Sequence, residues 1–287
     1  MSRGRCPAGR PTAKKWAPEQ EGSGLKVVLF CGGLGLRMRE AADAIPKPMV
    51  PLGSRPILWH VMKYYAHYGH TDFVLCLGYR ADVIKDYFLT YNEAMSNDFV
   101  LSNGGRTVEL LSNDIDDWSI TFVDTGLHAK IGERLLAVRS HLEGEEYFLA
   151  NYGDVLTDAP LPSLVDSFVE SGKTASFLCV RPNQSFHLVR FDDEHVVRGI
   201  DEVAKGDVWI NGGFFVFRSD VFDYMRDGED LVEEPFGRLI EVEQLVANRY
   251  DGFWAPMDTL KDKQQLEGML EAGNGPWRVW AEPSRGA

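Results

Sequence analysis

A chain of 287 residues, 44% hydrophobic and 25% charged, is long enough for one large α/β domain or two small ones and apolar enough to build a core. Its formal net charge of −13 argues against duplex nucleic acid as a partner, because affinity for a phosphate backbone comes from an excess of Lys and Arg. No apolar run approaches the roughly 20 residues that cross a bilayer, so a cytoplasmic protein that binds neither membrane nor nucleic acid is expected.

Residues 1–24 carry Arg3, Arg5, Arg10, Lys14 and Lys15 with no apolar stretch behind them, which is not the pattern of a secretory signal. Their Pro, Gly and Ser content predicts a disordered extension. The remainder, 25–287, shows no repeat, low-complexity block or linker and reads as a single domain. Cys6, Cys31, Cys76 and Cys179 are widely spaced without a CxxC, which fits reduced thiols rather than a metal cluster.

In chain order, Lys26–Phe30 is a nearly continuous apolar run that suits a buried parallel strand. Pro56 opens a helix to about Tyr68, Phe73–Leu77 reads as the next strand, and Ala81–Tyr91 as the next helix. Strand, helix, strand, helix implies right-handed crossovers and a mostly parallel sheet. Ile120–Val123 and Tyr147–Ala150 follow as strands, with a helix between them at Glu133–His141 and another at Ser163–Ser171. Segments 174–181, 186–191, 195–200 and 208–217 are β-rich and predict antiparallel additions, and Glu233–Arg249 and Leu260–Glu271 read as helical. The expected class is α/β: a Rossmann-like, mostly parallel mixed sheet flanked by helices, with a β-rich portion.

The first strand leads directly into Cys31-Gly-Gly-Leu-Gly-Leu-Arg37. Glycines let backbone N–H groups close around an anion, and Arg37 adds a fork of donors. A third glycine of the dinucleotide fingerprint is missing, and no Gly-Lys-Ser/Thr follows as a P-loop requires. By itself such a turn is as often structural as functional. Lys47 follows between Pro46 and Pro48, in a stiff, non-helical segment. Taken alone it fits a solvated surface turn; beside an anion loop it fits a fixed positive charge for a developing oxyanion.

Asp154 comes just after a strand, at the end where open α/β sheets bind ligands. Asp258 lies in a turn-like Pro-Met-Asp-Thr stretch. Two such carboxylates suit Mg²⁺, which takes one or two and completes its octahedron with phosphate oxygens and water. By spacing alone each fits a turn or a helix cap better, Asp258 standing just before an expected helix.

The run Phe30-Cys-Gly-Gly-Leu-Gly-Leu-Arg37 followed by Pro46-Lys-Pro-Met49 resembles the signature of the sugar-phosphate nucleotidyltransferases. Further segments are similar to the glucose-1-phosphate cytidylyltransferases: Val123-Asp-Thr-Gly126, Tyr152-Gly-Asp154, Ile210-Asn-Gly-Gly-Phe-Phe-Val216, Glu234-Pro235 and Gly252-Phe-Trp-Ala-Pro-Met-Asp-Thr-Leu260. The likeness keeps its order from about Lys26 to Trp280. It implies the nucleotide-diphospho-sugar transferase fold, a homo-oligomer, and Mg²⁺-dependent transfer of a nucleotidyl group, CTP favoured, to a sugar 1-phosphate. Arg37, Lys47, Asp154 and Asp258 are then catalytic, with Asp154 and Asp258 holding the metal. Gly32, Gly33, Leu34, Gly35, Arg37, Lys47, Asp124, Gly126 and Arg134 bind the nucleotide. Gly153, His187, Glu202, Asn211 and Trp254 bind the sugar.

The chain departs from the family pattern at Leu36, usually Thr; at Glu133, usually Gly; at Val203, where a lysine is missing and Lys205 stands nearby; and at His187, usually Gly. These positions leave open the base and the sugar, including GTP or UTP as donor and an unusual sugar or cyclitol phosphate as acceptor. A non-catalytic nucleotide-sugar sensor and a dinucleotide-dependent oxidoreductase are the competing readings.

Overall fold

The computed structural model describes residues 24–33, 45–183, 186–203 and 206–281. Chain order begins with β1 (Val27–Phe30), whose four side chains are all buried, as a strand covered on both faces requires. Short β2 (Pro51–Leu52) and β3 (Arg55–Pro56) lead into α1 (Ile57–His67), β4 (Asp72–Leu77) and α2 (Ala81–Leu89). An exposed hairpin follows, β5 (Phe99–Ser102) and β6 (Thr107–Leu110), then β7 (Ser119–Asp124), α3 (Ile131–Ala137), β8 (Tyr147–Tyr152) and β9 (Val155–Thr157). The second half runs α4 (Leu161–Ser171), β10 (Ala175–Val180), β11 (His187–Phe191), β12 (Val197–Glu202), β13 (Ile210–Arg218), α5 (Glu234–Glu241), β14 (Leu245–Tyr250), β15 (Trp254–Pro256) and α6 (Leu260–Glu271).

Seven strands form the central sheet in the order β14-β10-β13-β8-β1-β4-β7. All its pairs are parallel except those of β13, which runs antiparallel to β8 and β10. The mostly parallel mixed sheet expected from the sequence is therefore present. Helices α1, α4 and α6 cover one face through Met62, Phe168 and Leu266, and α3 and α5 cover the other through Leu135 and Phe236. Neighbouring residues of a strand point to opposite faces, so Val28 and Leu29 enter different halves of this core.

Two expectations need correction. The helix expected over Glu233–Arg249 ends with α5, and its second half is β14, paired parallel with β10 along all six residues. Glu243, at a positive φ of 57°, reverses the chain between the two. The helix expected over Glu133–His141 is shorter and begins earlier, as α3, and Arg139–Leu142 tightens into a 3₁₀ turn.

Candidate active site

A cleft of about 510 Å³ opens at the C-terminal ends of β1 and β8 and the start of β13. That is where ligands settle in open α/β sheets. Its floor holds Lys47, Asp154 and Asp258. The two aspartates meet because β9, just after Asp154, pairs antiparallel with β15, just before Asp258, with Val155 opposite Pro256. The Met257 N–H closes the junction by donating to the Asp154 carbonyl at 3.0 Å. Asp258 does not cap α6: Thr259 does, its hydroxyl accepting from the Asp262 N–H at 3.2 Å. The Asp258 carboxylate is thereby left to the cleft.

Lys47 opens the 3₁₀ turn Lys47–Met49 with Pro46 before it and Pro48 behind it, and Pro48 and Met49 are buried. The non-helical segment expected between the two prolines is corrected: Pro46 is extended, but the chain from Lys47 to Met49 turns helically. From it the Lys47 ammonium donates to Asp154 Oδ2 at 2.5 Å and to Asp258 Oδ1. Burial would lower its pKa, but attraction and hydrogen bonds to the two carboxylates outweigh that and hold it above the ordinary lysine range. One ammonium touching both carboxylates places their oxygens within reach of a single cation. That donor set fits Mg²⁺, which needs only one or two carboxylates when phosphates and water supply the rest. Among the described residues no cluster of three His, Cys, Asp or Glu side chains forms a protein-only cage.

Of the residues assigned to the nucleotide, Gly32, Gly33, Lys47 and Arg134 line this cleft. Leu34, Gly35 and Arg37 lie outside the described residues, as do Leu36 and Lys205. Arg134, only 3% exposed, turns its guanidinium into the protein: it donates to two carbonyls, Gly32 O at 3.0 Å and Leu77 O at 3.1 Å, and to the Thr125 hydroxyl at 2.7 Å. One side chain of α3 so ties together the ends of β1, β4 and β7. Gly32 serves that contact, because a Cβ there would sit 1.9 Å from Arg134 Nη1. Asp124 ends β7 with its carboxylate accepting from the Gly126 N–H at 3.1 Å, a turn in which Gly126 takes a φ of 94°. Neither Asp124 nor Gly126 lines the cleft.

The residues assigned to the sugar divide into two groups. Asn211 and Trp254 line the cleft. They are joined through Gly212, whose carbonyl accepts the Trp254 indole N–H at 2.8 Å, while Asn211 Oδ1 accepts the Gly213 N–H at 2.8 Å. Gly153 packs beneath the site, where a Cβ would lie 3.2 Å from Cys31 Sγ. His187 and Glu202 face each other across the β11–β12 hairpin and line a separate groove with Arg190 and Asp201. Glu133 accepts from the Lys130 N–H at 2.7 Å, so its carboxylate anchors the start of α3.

Three cleft residues with polar side chains were not assigned to the site from sequence: Tyr152, Lys130 and Asp230. Tyr152 was in view as the neighbour of Gly153 and Asp154. Lys130 and Asp230 carry no local signal, because the contact that joins their segments, Lys130 Nζ to Gly228 O at 3.0 Å, spans 98 positions. Burial pushes the Cys31 thiol far up and the Cys76 thiol up to about 12, which leaves both as inert packing groups rather than nucleophiles.

The family pattern described as nucleotidyl transferase matches residues 26–255. A glucose-1-phosphate cytidylyltransferase of Salmonella typhi is 39% identical over 258 residues, covering 89% of this chain and 100% of that protein. A probable glucose-1-phosphate cytidylyltransferase of Bacillus subtilis (strain 168) is 36% identical over the same shares. A solved structure of a UTP-bound UGPase from Acinetobacter baumannii aligns with a TM-score of 0.64 over 88% of this chain and 95% of that one, and at 18% identity speaks to the fold alone. The chain belongs to the nucleotidyl transferase family, as a sugar-1-phosphate nucleotidyltransferase.

Proposed function

We propose that the chain uses Mg²⁺ to transfer a cytidylyl group from CTP to glucose 1-phosphate or a related sugar or cyclitol 1-phosphate. The observation that carries this reading is the convergence of Lys47, Asp154 and Asp258 at one point of the cleft. The relatives named as glucose-1-phosphate cytidylyltransferases support the choice of base and sugar.

In this reading an oxygen of the sugar 1-phosphate attacks the α-phosphorus of the nucleotide, the bond to the β-phosphate oxygen breaks, and pyrophosphate leaves. Such a displacement asks the protein for position and charge rather than a covalent intermediate. The Lys47 ammonium offsets charge on the reacting phosphate from a turn bounded by two prolines and anchored by the buried Pro48 and Met49. Asp154 and Asp258 would hold the Mg²⁺, which neutralises and orients the phosphates. Arg37 is assigned to the triphosphate. Trp254 walls the sugar pocket and Asn211 offers an amide to hydroxyls that both donate and accept. His187 and Glu202 sit on the β11–β12 hairpin that precedes β13 in the chain and line a groove of their own, and their assignment to the sugar rests on the family resemblance.

A homo-oligomer in the cytoplasm completes the proposal. Phe186, Phe191 and Ile200 on the hairpin are each more than half exposed, which suits a surface covered by another subunit. No helix among the described residues is long and apolar enough to cross a membrane. Light scattering tests the assembly.

The decisive test is a matrix of four nucleoside triphosphates against sugar and cyclitol 1-phosphates, scored by pyrophosphate release with Mg²⁺ and with EDTA. Release with CTP and glucose 1-phosphate that EDTA abolishes is the expected result. Turnover with GTP or UTP alone would reassign the base. Calorimetric binding of nucleotide with no release across the matrix would make the chain a sensor.

A further inference from the structure

The two carboxylates at the centre of the cleft are already neutralised from within the protein. We infer that the Lys47 ammonium is an internal stand-in for the divalent cation, occupying the point between Asp154 and Asp258 that the metal takes and leaving it only when metal and nucleotide arrive together. This rests on the proposed metal site of those two aspartates.

The argument is geometric. Lys47 Nζ lies 2.5 Å from Asp154 Oδ2 and also contacts Asp258 Oδ1, so it fills the gap between the oxygens that a bridging cation would share. A Mg²⁺ ion needs each oxygen at about 2.0–2.1 Å. An ammonium and a divalent cation cannot both occupy that gap, because like charges so close repel strongly in a half-buried site. The side chains are 17% exposed at Lys47, 21% at Asp154 and 34% at Asp258, so water screens this competition only in part.

Pro46 and Pro48 fix the backbone of Lys47, and the buried Met49 anchors the turn. Only the flexible four-carbon stem can move, which suits a charge that trades one anion for another. The triphosphate supplies the other anion. When the ammonium swings to a phosphate oxygen, both carboxylates open to the metal; when the metal binds, the ammonium is released to the phosphate. Each ligand therefore raises the affinity of the other, as reciprocal coupling requires. Metal without nucleotide meets the ammonium as competitor and binds weakly.

The test measures Mn²⁺ binding to the full chain by electron paramagnetic resonance, with no sugar phosphate present. Lys47→Met keeps the length of the stem and removes the charge. It is expected to bind Mn²⁺ without nucleotide at least tenfold more tightly than the unmodified chain and to melt higher as Mn²⁺ is added. CTP should tighten Mn²⁺ binding to the unmodified chain far more than to the variant. Lys47→Gln serves as a second neutral variant should the methionine form fail to fold. Asp258→Asn combined with either should lose the tight binding, and alone should lose the binding that CTP promotes. Equal Mn²⁺ affinity in the unmodified chain and the Lys47 variants would overturn the stand-in while leaving the metal site in place. No Mn²⁺ binding in any form, even with CTP, would overturn the metal site and the stand-in with it.

Discussion

The guanidinium of Arg134 donates to the carbonyl oxygen of Gly32 at 3.0 Å, so a helix on one face of the sheet holds the loop that leaves β1. Both partners are constrained. Arg134 is fastened at the same time to Leu77 and Thr125, and Gly32 has no room for a Cβ. Gly32→Ala should force the guanidinium out of its acceptors and leave buried carbonyls unpaired, at a cost of roughly 2 kcal/mol and about 4–8 °C in Tm. Arg134→Lys should do the same, since an ammonium cannot span three strand ends. Calorimetric melting with a pyrophosphate assay checks both. Turnover reduced at least tenfold in each is expected, and a Gly32→Ala variant with unchanged melting would show that the clamp yields freely.

Much of the frame was legible because the periods are strong. The runs Val27–Phe30 and Phe73–Leu77 are apolar throughout, and helical spacing marks Ile57–His67 between them. The place of Asp154 after a strand was readable for the same reason. What brings Asp258 beside it was not, because β9 and β15 are three residues each and their pairing is non-local. Leu245–Tyr250 was misread as helix because Glu243 is an ordinary residue in a left-handed turn, and nothing in its type marks the break. Arg134 could be placed at the nucleotide site by resemblance, but its acceptors, two carbonyls and the Thr125 hydroxyl, come from three different strand ends and leave no local trace.

Trp254 gives a second prediction. Its indole N–H donates to Gly212 O at 2.8 Å, which fixes the ring as a wall beside Asn211. Trp254→Phe keeps most of the apolar area and removes the donor, a loss of about 1 kcal/mol. Michaelis kinetics should show the KM for the sugar phosphate rising about fivefold, with the KM for the nucleotide unchanged. A rise in the nucleotide KM instead would move Trp254 to the other substrate.

The thiols give a third. Burial raises the pKa of Cys31 and Cys76 well above the ordinary thiol value, so almost no thiolate exists at neutral pH. Iodoacetamide at pH 8 should leave both unmodified in the folded chain and alkylate both in urea, as read by peptide mass spectrometry. Rapid native labelling of Cys31 with loss of turnover would restore a chemical role for it.

The last prediction concerns acid. His60 is buried in α1; the Trp277 indole N–H donates to its Nδ1 at 3.3 Å, so Nε2 carries the proton and donates to Leu52 O at 2.9 Å. His70 is buried with Nδ1 accepting from the Leu25 N–H at 2.8 Å. Burial lowers both to about 4, against an ordinary value of 6.5. Between those values the unfolded chain holds more protons than the folded one, so stability increases with pH across this window. The contribution of each histidine is present in full above about pH 6.5 and is lost as pH falls toward 4, up to about 3 kcal/mol per residue. Tm should therefore fall steeply between pH 6.5 and 4. His60→Gln retains a donor for Leu52 and His70→Asn an acceptor for Leu25, and neither titrates. The double variant should start lower at pH 8, because the Trp277 contact is weakened, yet lose less on acidification. An unchanged slope in that variant would assign the acid lability to carboxylates instead.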